Sequence, residues 1–302
     1  MQKLLITGAS GFVGQNLLPY LNKYFQTEIL DRVQLNIIKD SPSRDADVII
    51  HLAGKAHDLK KVSDSNEYYA VNYELTLDLF EFFLRSKAKQ FIFLSSVKAA
   101  ADSILGSLTE EISPNPQTDY GKSKLMAENF ILNHELPQGK SVIVLRPCMI
   151  HGPGNKGNLN LLYNMVKKGI PYPLAKFDNK RSFLSVDNLS FIIHQIINKG
   201  ISSGIYNVAD DDALSTNEVV TILSASLQKK AKLLKIPSSI IIFLARAGDY
   251  IHLPLTTERL NKLTESYVVS NSKIKKVLQT NLPLAAKEGL ILTSNSFNTN
   301  NL

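Results

Sequence analysis

Lys3-Leu4-Leu5-Ile6, then Thr7-Gly8-Ala9-Ser10-Gly11-Phe12-Val13-Gly14, then Gln15-Asn16-Leu17-Leu18 reads as a buried strand, a glycine turn and the start of a helix. Each glycine has a separate reason to be there. Gly8 can take backbone angles closed to other residues, Gly11 leaves room for a phosphate, and Gly14 lets the helix pack closely on the strand. A diphosphate held against this turn, with Ser10, Phe12 and Val13 completing its wall, would meet free amides at the positive end of the helix. The turn is therefore a dinucleotide fingerprint, with spacing GxxGxxG.

Outward from this turn, Thr27-Glu28-Ile29-Leu30 reads as the second strand and runs into Asp31. A carboxylate there is placed for the adenosine ribose hydroxyls and repels a 2′-phosphate, which favours NAD over NADP. Arg32 next to it could accept such a phosphate and leaves NADP open. The alternative is that Asp31 is a strand-end turn residue. The segment from Asp31 to Asp47-Val48-Ile49-Ile50-His51-Leu52-Ala53-Gly54 is too short for another full helix and strand, so the adenine side is expected to be open. Leu52, Ala53 and Gly54, at the end of that next strand, are expected beside the cofactor.

Tyr120 and Lys124 stand four residues apart in a stretch of helical composition, and so share one helix face. A free phenol titrates near ~10, too high for a base at neutral pH, whereas an adjacent ammonium and an oxidised nicotinamide both favour the phenolate. Lys124 could also hold the nicotinamide ribose. Ser96 ends the apolar run Phe91-Ile92-Phe93-Leu94-Ser95 and would hydrogen-bond the substrate oxygen whose proton moves to Tyr120. Ser96, Tyr120 and Lys124 are the expected catalytic residues.

Apolar strands alternate with helical stretches up to Arg146, as in βαβ units with a parallel sheet. The fold class expected is α/β, a Rossmann-type doubly wound parallel sheet with a smaller C-terminal α+β substrate domain. Residues 1–151 would form the dinucleotide domain and 152–302 the substrate domain, with Arg181–Ser185 and Ile205–Val208 returning to the sheet. The tail from Thr293, TSNSFNTNNL, reads as loose.

A chain of 302 residues, 44% hydrophobic and 20% charged, suits a soluble enzyme of this size. The net charge of +7 comes from dispersed lysines instead of a basic arm, so no nucleic-acid partner is expected. The single Cys148 excludes an internal disulfide, and no metal set is present. Met1 leads almost directly into the first strand, so no signal peptide is expected and the location expected is cytoplasmic. The longest apolar run, Ile240-Ile241-Ile242-Phe243-Leu244-Ala245, stops at Arg246 and cannot span a bilayer. It either packs within the substrate domain or forms a membrane-surface or partner face.

The glycine spacing and the Tyr-Gly-Lys-Ser-Lys string resemble the short-chain dehydrogenase/reductases, and nearly the whole chain is similar to their extended NAD-dependent epimerase/dehydratase family. The supporting strings are DVIIHLAG at 47–54, Val71-Asn72, Arg146-Pro147, HGPG at 151–154 and RSFLSVD at 181–187. GPGNKGN at 152–158 and Ser96-Val97-Lys98 are similar to the UDP-glucose 4-epimerase-like branch, which includes UDP-4-keto-N-acetylhexosamine reductases. This resemblance implies a nucleotide-sugar substrate and a homodimer paired through the helices at 66–85 and 119–135. It places Asn72 and Pro147 at the cofactor, Asn72 equally as a structural residue. Arg181 would contact the nucleotide diphosphate through its planar fork. Lys98, Lys156, Asn158 and Arg259 would lie around the sugar and phosphates.

Two departures from the family pattern stand out. Sugar 4,6-dehydratases carry Asp and Glu where this chain has Val97 and Lys98, so no carboxyl pair is available for water elimination. His151 replaces a common Tyr and reads as a partly buried loop histidine. The resemblance implies a 4-epimerase working by transient oxidation at C4, with a 4-keto-sugar reductase as the alternative. A non-catalytic dinucleotide sensor is the reading from a different class.

Overall fold

A computed structural model describes residues 1–42, 44–55, 64–155, 157–251 and 255–299. The first unit runs β1 (Lys3–Thr7), α1 (Phe12–Leu21), β2 (Gln26–Leu30), α2 (Arg32–Asn36), β3 (Val48–His51), α3 (Ser65–Tyr69), a π-helical turn (Ala70–Glu74), α4 (Leu75–Arg85) and β4 (Gln90–Leu94). It continues through β5 (Ser107–Leu108), α5 (Asp119–Leu132), β6 (Ser141–Pro147) and β7 (Met149–His151). Then follow α6 (Asn158–Lys167), β8 (Arg181–Ser185), α7 (Val186–Lys199), β9 (Gly204–Val208), β10 (Ala213–Leu214) and α8 (Thr216–Ser226). The chain closes with α9 (Ser238–Ile251), α10 (Thr257–Thr264), β11 (Val268–Val269), α11 (Ser272–Leu278) and α12 (Ala286–Thr299).

The main sheet has six parallel strands in the order β2-β1-β3-β4-β6-β9. Successive side chains on a strand point to opposite faces, and here both faces are covered. Leu4, Ile6, Ile50, Ile92 and Ile143 pack with Leu17 of α1 and Ile192, Ile193 and Ile196 of α7. Their neighbours Leu5, Ile49, Phe91, Phe93 and Val142 pack with Phe80 and Phe83 of α4 and Ala127 and Ile131 of α5. This is why the strands read as continuous apolar runs. A third core gathers Leu159, Tyr163, Phe183, Leu223, Leu260 and Leu290 from the elements after β7.

β2 is an edge strand: residues 31–47 return directly to β3 without adding a strand beyond it.

Three expectations need correction. Of the two segments expected to return to the main sheet, β9 does so beside β6, but Arg181–Ser185 instead forms the centre of a separate sheet, β10-β8-β7. Its registers with Met149–His151 and Ala213–Leu214 are long-range, so no local pattern in the sequence reports them. Of the tail read as loose from Thr293, residues 293–299 are the second half of α12 and pack into the third core, and residues 300–302 lie outside the described residues. Leu290, Thr293, Ser294 and Phe297 recur at helical spacing and are buried. The polar members are satisfied there: the Thr293 hydroxyl donates to the Gly289 carbonyl at 3.0 Å and meets His151 Nδ1 at 2.8 Å. Ser294 pairs with Ser226 at 2.6 Å, and Phe297 meets Tyr163 ring to ring at 5.0 Å. A buried polar group that finds its partner does not oppose burial, and composition alone does not show the partners. His151 is thereby fully buried at the joint between β7 and α12, and is not a partly buried loop residue.

Candidate active site

The glycine turn sits at the carboxyl edge of the sheet, between β1 and α1. Gly8 has φ +73°, in the left-handed region, and a Cβ there would fall 2.4 Å from the Ala53 amide nitrogen. It therefore serves both as a turn residue and as the point where the turn touches the end of β3. A Cβ on Gly14 would fall 2.4 Å from the Gly8 carbonyl oxygen, the close helix-on-turn packing read from the sequence. Gly11 is the N-cap of α1, with no side-chain cap and no acidic residue in the first turn. The amides at the positive end of this ten-residue helix are left for a ligand, which fits the diphosphate of a dinucleotide. Ser10 and Gly11 are exposed beside it, with Phe12 and Val13 half-buried.

The floor of the site is tied down by buried polar bonds that the sequence reading did not find. His51 bridges Thr7 Oγ1 at 2.7 Å and Thr76 Oγ1 at 2.9 Å, and the Ala53 amide donates to Thr7 Oγ1 at 3.2 Å. Burial drives the His51 imidazole down to about 3, so it is neutral under working conditions. Asn72 lies buried in the π-helical turn, where it accepts from the Lys55 amide at 2.8 Å and donates to the Lys55 carbonyl and Ser123 Oγ. It joins the loop after β3 to α5. A π-turn at a functional site is a recurrent device. Its Oδ1 would lie 3.0 Å from a Cβ on Gly54, and Lys124 Nζ 2.9 Å, so Gly54 leaves a narrow space beside both. That space suits the nicotinamide ribose.

The three residues expected to be catalytic, Ser96, Tyr120 and Lys124, lie at this edge. Ser96 is extended and half-caps the short turn Val97–Ala99 by accepting from the Lys98 amide at 3.2 Å. Thr118 caps α5, and its backbone amide donates to Asp102, which fixes where the helix starts. Gly121 completes the arrangement: a Cβ there would fall 2.4 Å from the Lys98 carbonyl oxygen, so only glycine lets α5 press onto the Val97–Ala99 turn. Tyr120 then hydrogen-bonds Ser96, and its ring lies edge-on to Tyr68 at 6.1 Å. Lys124 donates to the Leu94 carbonyl at 3.0 Å and sits 4.8 Å over the Phe93 ring.

The electrostatics correct one expectation. Burial raises the Tyr120 phenol above its ordinary value, partly offset by the Ser96 hydrogen bond, and Tyr68 and Glu128 raise it further. Burial lowers Lys124 itself to about 8, against an upward pull from Glu128. An oxidised nicotinamide bound beside the phenol would add a positive charge that favours the phenolate.

A stability test follows from the Lys124 shift. A lysine depressed in the folded state binds fewer protons there than when unfolded between about 8 and its ordinary 10.5. Stability is therefore expected to rise with pH across this window. Urea midpoints at the two ends of the window should separate more in the wild type than in Lys124→Met. Equal pH slopes in the two proteins would contradict the shift.

Beneath the trio, Glu128 follows Lys124 by one further turn and pairs with Arg146 of β6. Arg146 Nε donates to both carboxylate oxygens, at 3.0 and 3.1 Å, and Ser95 Oγ donates to Glu128. The two side chains are 0% and 1% exposed. Only its spacing from Lys124 hinted at Glu128, while Arg146 was visible only as part of a motif.

The other expected residues are placed less uniformly. Asp31 lies at the carboxyl end of β2, exposed, and caps α2 by accepting from the Gln34 amide at 2.8 Å. The turn role is thus real, and the ribose role would use the remaining carboxylate oxygen. Arg32 is exposed beside it. Leu52 follows β3, with its amide donating to the Thr7 carbonyl, and Pro147 ends β6. Lys98 donates to the Asp102 carbonyl at 2.7 Å and lies 4.5 Å over the Tyr267 ring, and burial lowers its ammonium.

Arg181 already donates to the carbonyls of Lys262 and Glu265 and is 3.8 Å from the Glu265 carboxylate. Tyr267 connects this pair of cations. Its backbone bonds to β8, and its hydroxyl donates to the Ala101 carbonyl at 2.6 Å. Arg259 is exposed on α10, the helix whose end holds Arg181, and Asn158 is exposed at the start of α6. Lys156 lies outside the described residues. The loop from Gly152 to Asn155 reaches α1: Asn16 donates to the Pro153 carbonyl at 3.0 Å. Among the described residues no cluster of side chains could hold a metal ion, and no helix is long and apolar enough to cross a membrane.

Residues 4–209 match the model of the NAD dependent epimerase/dehydratase family, and the chain belongs to that family. A UDP-glucose 4-epimerase of Vibrio cholerae is 28% identical over 98% of this chain and 95% of that protein. An N-acetyl-alpha-D-glucosaminyl-diphospho-ditrans,octacis-undecaprenol 4-epimerase of Escherichia coli O157:H7 is 29% identical over 92% of this chain and 86% of that protein. Among solved structures, MoeE5 in complex with UDP-glucose and NAD superposes with a TM-score of 0.77 at 19% identity, covering 99% of this chain and 100% of that one. The family is one of NAD-dependent enzymes of sugar-nucleotide chemistry, and the fold is theirs.

Proposed function

We propose that this protein is an NAD-dependent 4-epimerase of a UDP-hexose or UDP-N-acetylhexosamine, working in nucleotide-sugar or surface polysaccharide biosynthesis. The observation that carries the proposal is the convergence of Ser96, Tyr120 and Lys124 beside the uncapped N-terminus of α1. Bound NAD would supply the hydride acceptor. Ser96 holds the C4 hydroxyl, Tyr120 takes its proton as the C4 hydride departs, and Lys124 holds the nicotinamide ribose. Once the 4-keto sugar has turned over in the site, hydride taken back on its opposite face, with the proton returned by Tyr120, would give the epimer with no net redox change.

Elimination of water is disfavoured on this reading. Val97 has no proton to move, and the Lys98 ammonium is engaged by Asp102. The diphosphate of the sugar carrier would be met by the cationic region of Lys98 and Arg181.

The exposed edge at β2 favours a second reading. A cofactor site without a flanking strand is suited to exchange, as a 4-keto-sugar reductase requires. Nicotinamide content of freshly purified, acid-denatured protein separates the two: near-stoichiometric NAD supports the epimerase. An empty protein that binds reduced cofactor supports the reductase, and one that binds neither form contradicts both. On either reading Asp31→Ala is expected to weaken NAD binding about tenfold and narrow its margin over NADP, as titration would show. Unchanged affinities would remove Asp31 from the cofactor site.

We also assign α4 and α5 as the faces of a homodimer. Met126 is exposed on α5, beside a groove of about 460 Å³ lined by Tyr73, Asn129, Phe130 and Asn133. A monomeric mass from light scattering would oppose this assignment.

A further inference from the structure

Helix α9 carries two apolar stripes where a helix packed on one core needs one. Ile241, Ala245 and Gly248 face inward, and Ile241 and Ala245 join the third core. Ile240, Phe243, Leu244, Ala247 and Tyr250 recur at the spacing of a second face, and this face meets water. Phe243 is 70% exposed and Tyr250 84%, with Ile240 and Leu244 near half. A contiguous apolar face of three turns marks a contact surface.

The segment that leads into α9 is cationic. Lys229, Lys230, Lys232 and Lys235 lead into α9 and are exposed. The Tyr172 amide donates to the Lys232 carbonyl at 2.8 Å, and Leu174 bridges Lys235, which lays this segment along the one carrying exposed Lys167 and Lys168. Neither stretch, 158–177 or 227–248, contains an Asp or Glu. The six lysines are thus unneutralised by their own segments.

We propose that this end of the substrate domain docks on an anionic lipid bilayer, with Ile240, Phe243 and Leu244 entering the interfacial layer and the lysines meeting headgroup phosphates. An apolar stripe flanked by lysines is the pattern of a helix lying in the membrane surface. A second copy of the chain fits poorly, since a symmetric pairing brings lysines against lysines. Protein interfaces are generally poor in lysine, which argues against a protein partner. With fourteen residues α9 lies on the bilayer and does not cross it.

The test is co-sedimentation of the full-length protein with vesicles of equimolar phosphatidylglycerol and phosphatidylcholine, and with phosphatidylcholine alone. Most of the protein should pellet with the anionic vesicles and little with the neutral ones, and binding should weaken as salt is raised. Phe243→Asp combined with Leu244→Asp should lower the bound fraction about tenfold with thermal midpoint unchanged. Lys229→Glu with Lys230→Glu should remove much of the salt-sensitive part. Absence of binding to anionic vesicles overturns the proposal, as does equal pelleting of wild type and both variants. A change of assembly size in the Asp variant, without vesicle binding by the wild type, would show a protein interface and overturn it as well.

Discussion

Tyr120→Phe is expected to lower turnover of a UDP-sugar roughly 10²- to 10⁴-fold, the usual weight of a positioned acid-base group. The change removes one hydroxyl and its hydrogen bond to Ser96, and keeps the ring against Tyr68. Fold and cofactor content should therefore survive, and the loss should fall on turnover instead of binding. Product formation followed by chromatography, beside nicotinamide content and a melting curve, makes the check. Turnover by Tyr120→Phe within about tenfold of wild type would show that the proton goes elsewhere. The same variant also addresses the sensor reading, since a sensor's output has no need of the phenol.

Arg146→Met is expected to cost about 3–5 kcal/mol of stability, because it leaves the Glu128 carboxylate buried without its counter-charge. Both groups are fully enclosed, and Arg146 reaches both oxygens of the carboxylate. Urea unfolding would measure the loss. The double variant Glu128→Gln, Arg146→Met should lose clearly less than Arg146→Met alone, since no charge is then left unpaired. Equal losses would mean that packing, and not charge pairing, is what Arg146 supplies. Glu128→Gln has a second consequence. Glu128 raises the Lys124 ammonium against burial, so removing its charge should shift the pH dependence of turnover on the lysine side to lower pH.

The glycine turn and the Tyr120–Lys124 pair were legible because their chemistry is local. A left-handed Gly8, a helix starting at Phe12 and two residues one turn apart are consequences of a few consecutive positions. The parallel sheet was legible for a similar reason: Leu4-Leu5-Ile6 and Val142-Ile143-Val144 are apolar at every position because both faces are covered. By contrast, Arg181–Ser185 has the composition of any short strand, and its partners at 149–151 and 213–214 are chosen by distant packing. The polar tail looked loose because serine and threonine count against burial until their partners, Ser226 and His151, are known.

By itself, then, the sequence determined the class of fold, the glycine turn and which three side chains are the candidates for catalysis, since each is written in spacing along one strand or one helix. Only the tertiary structure decided their working state. Burial raises Tyr120 and lowers Lys124, because desolvation depends on what surrounds a group and not on its neighbours in the chain. Gly121 earns its place only against the Lys98 carbonyl, and Glu128 only against Arg146, because those contacts exist once α5 has docked on the sheet.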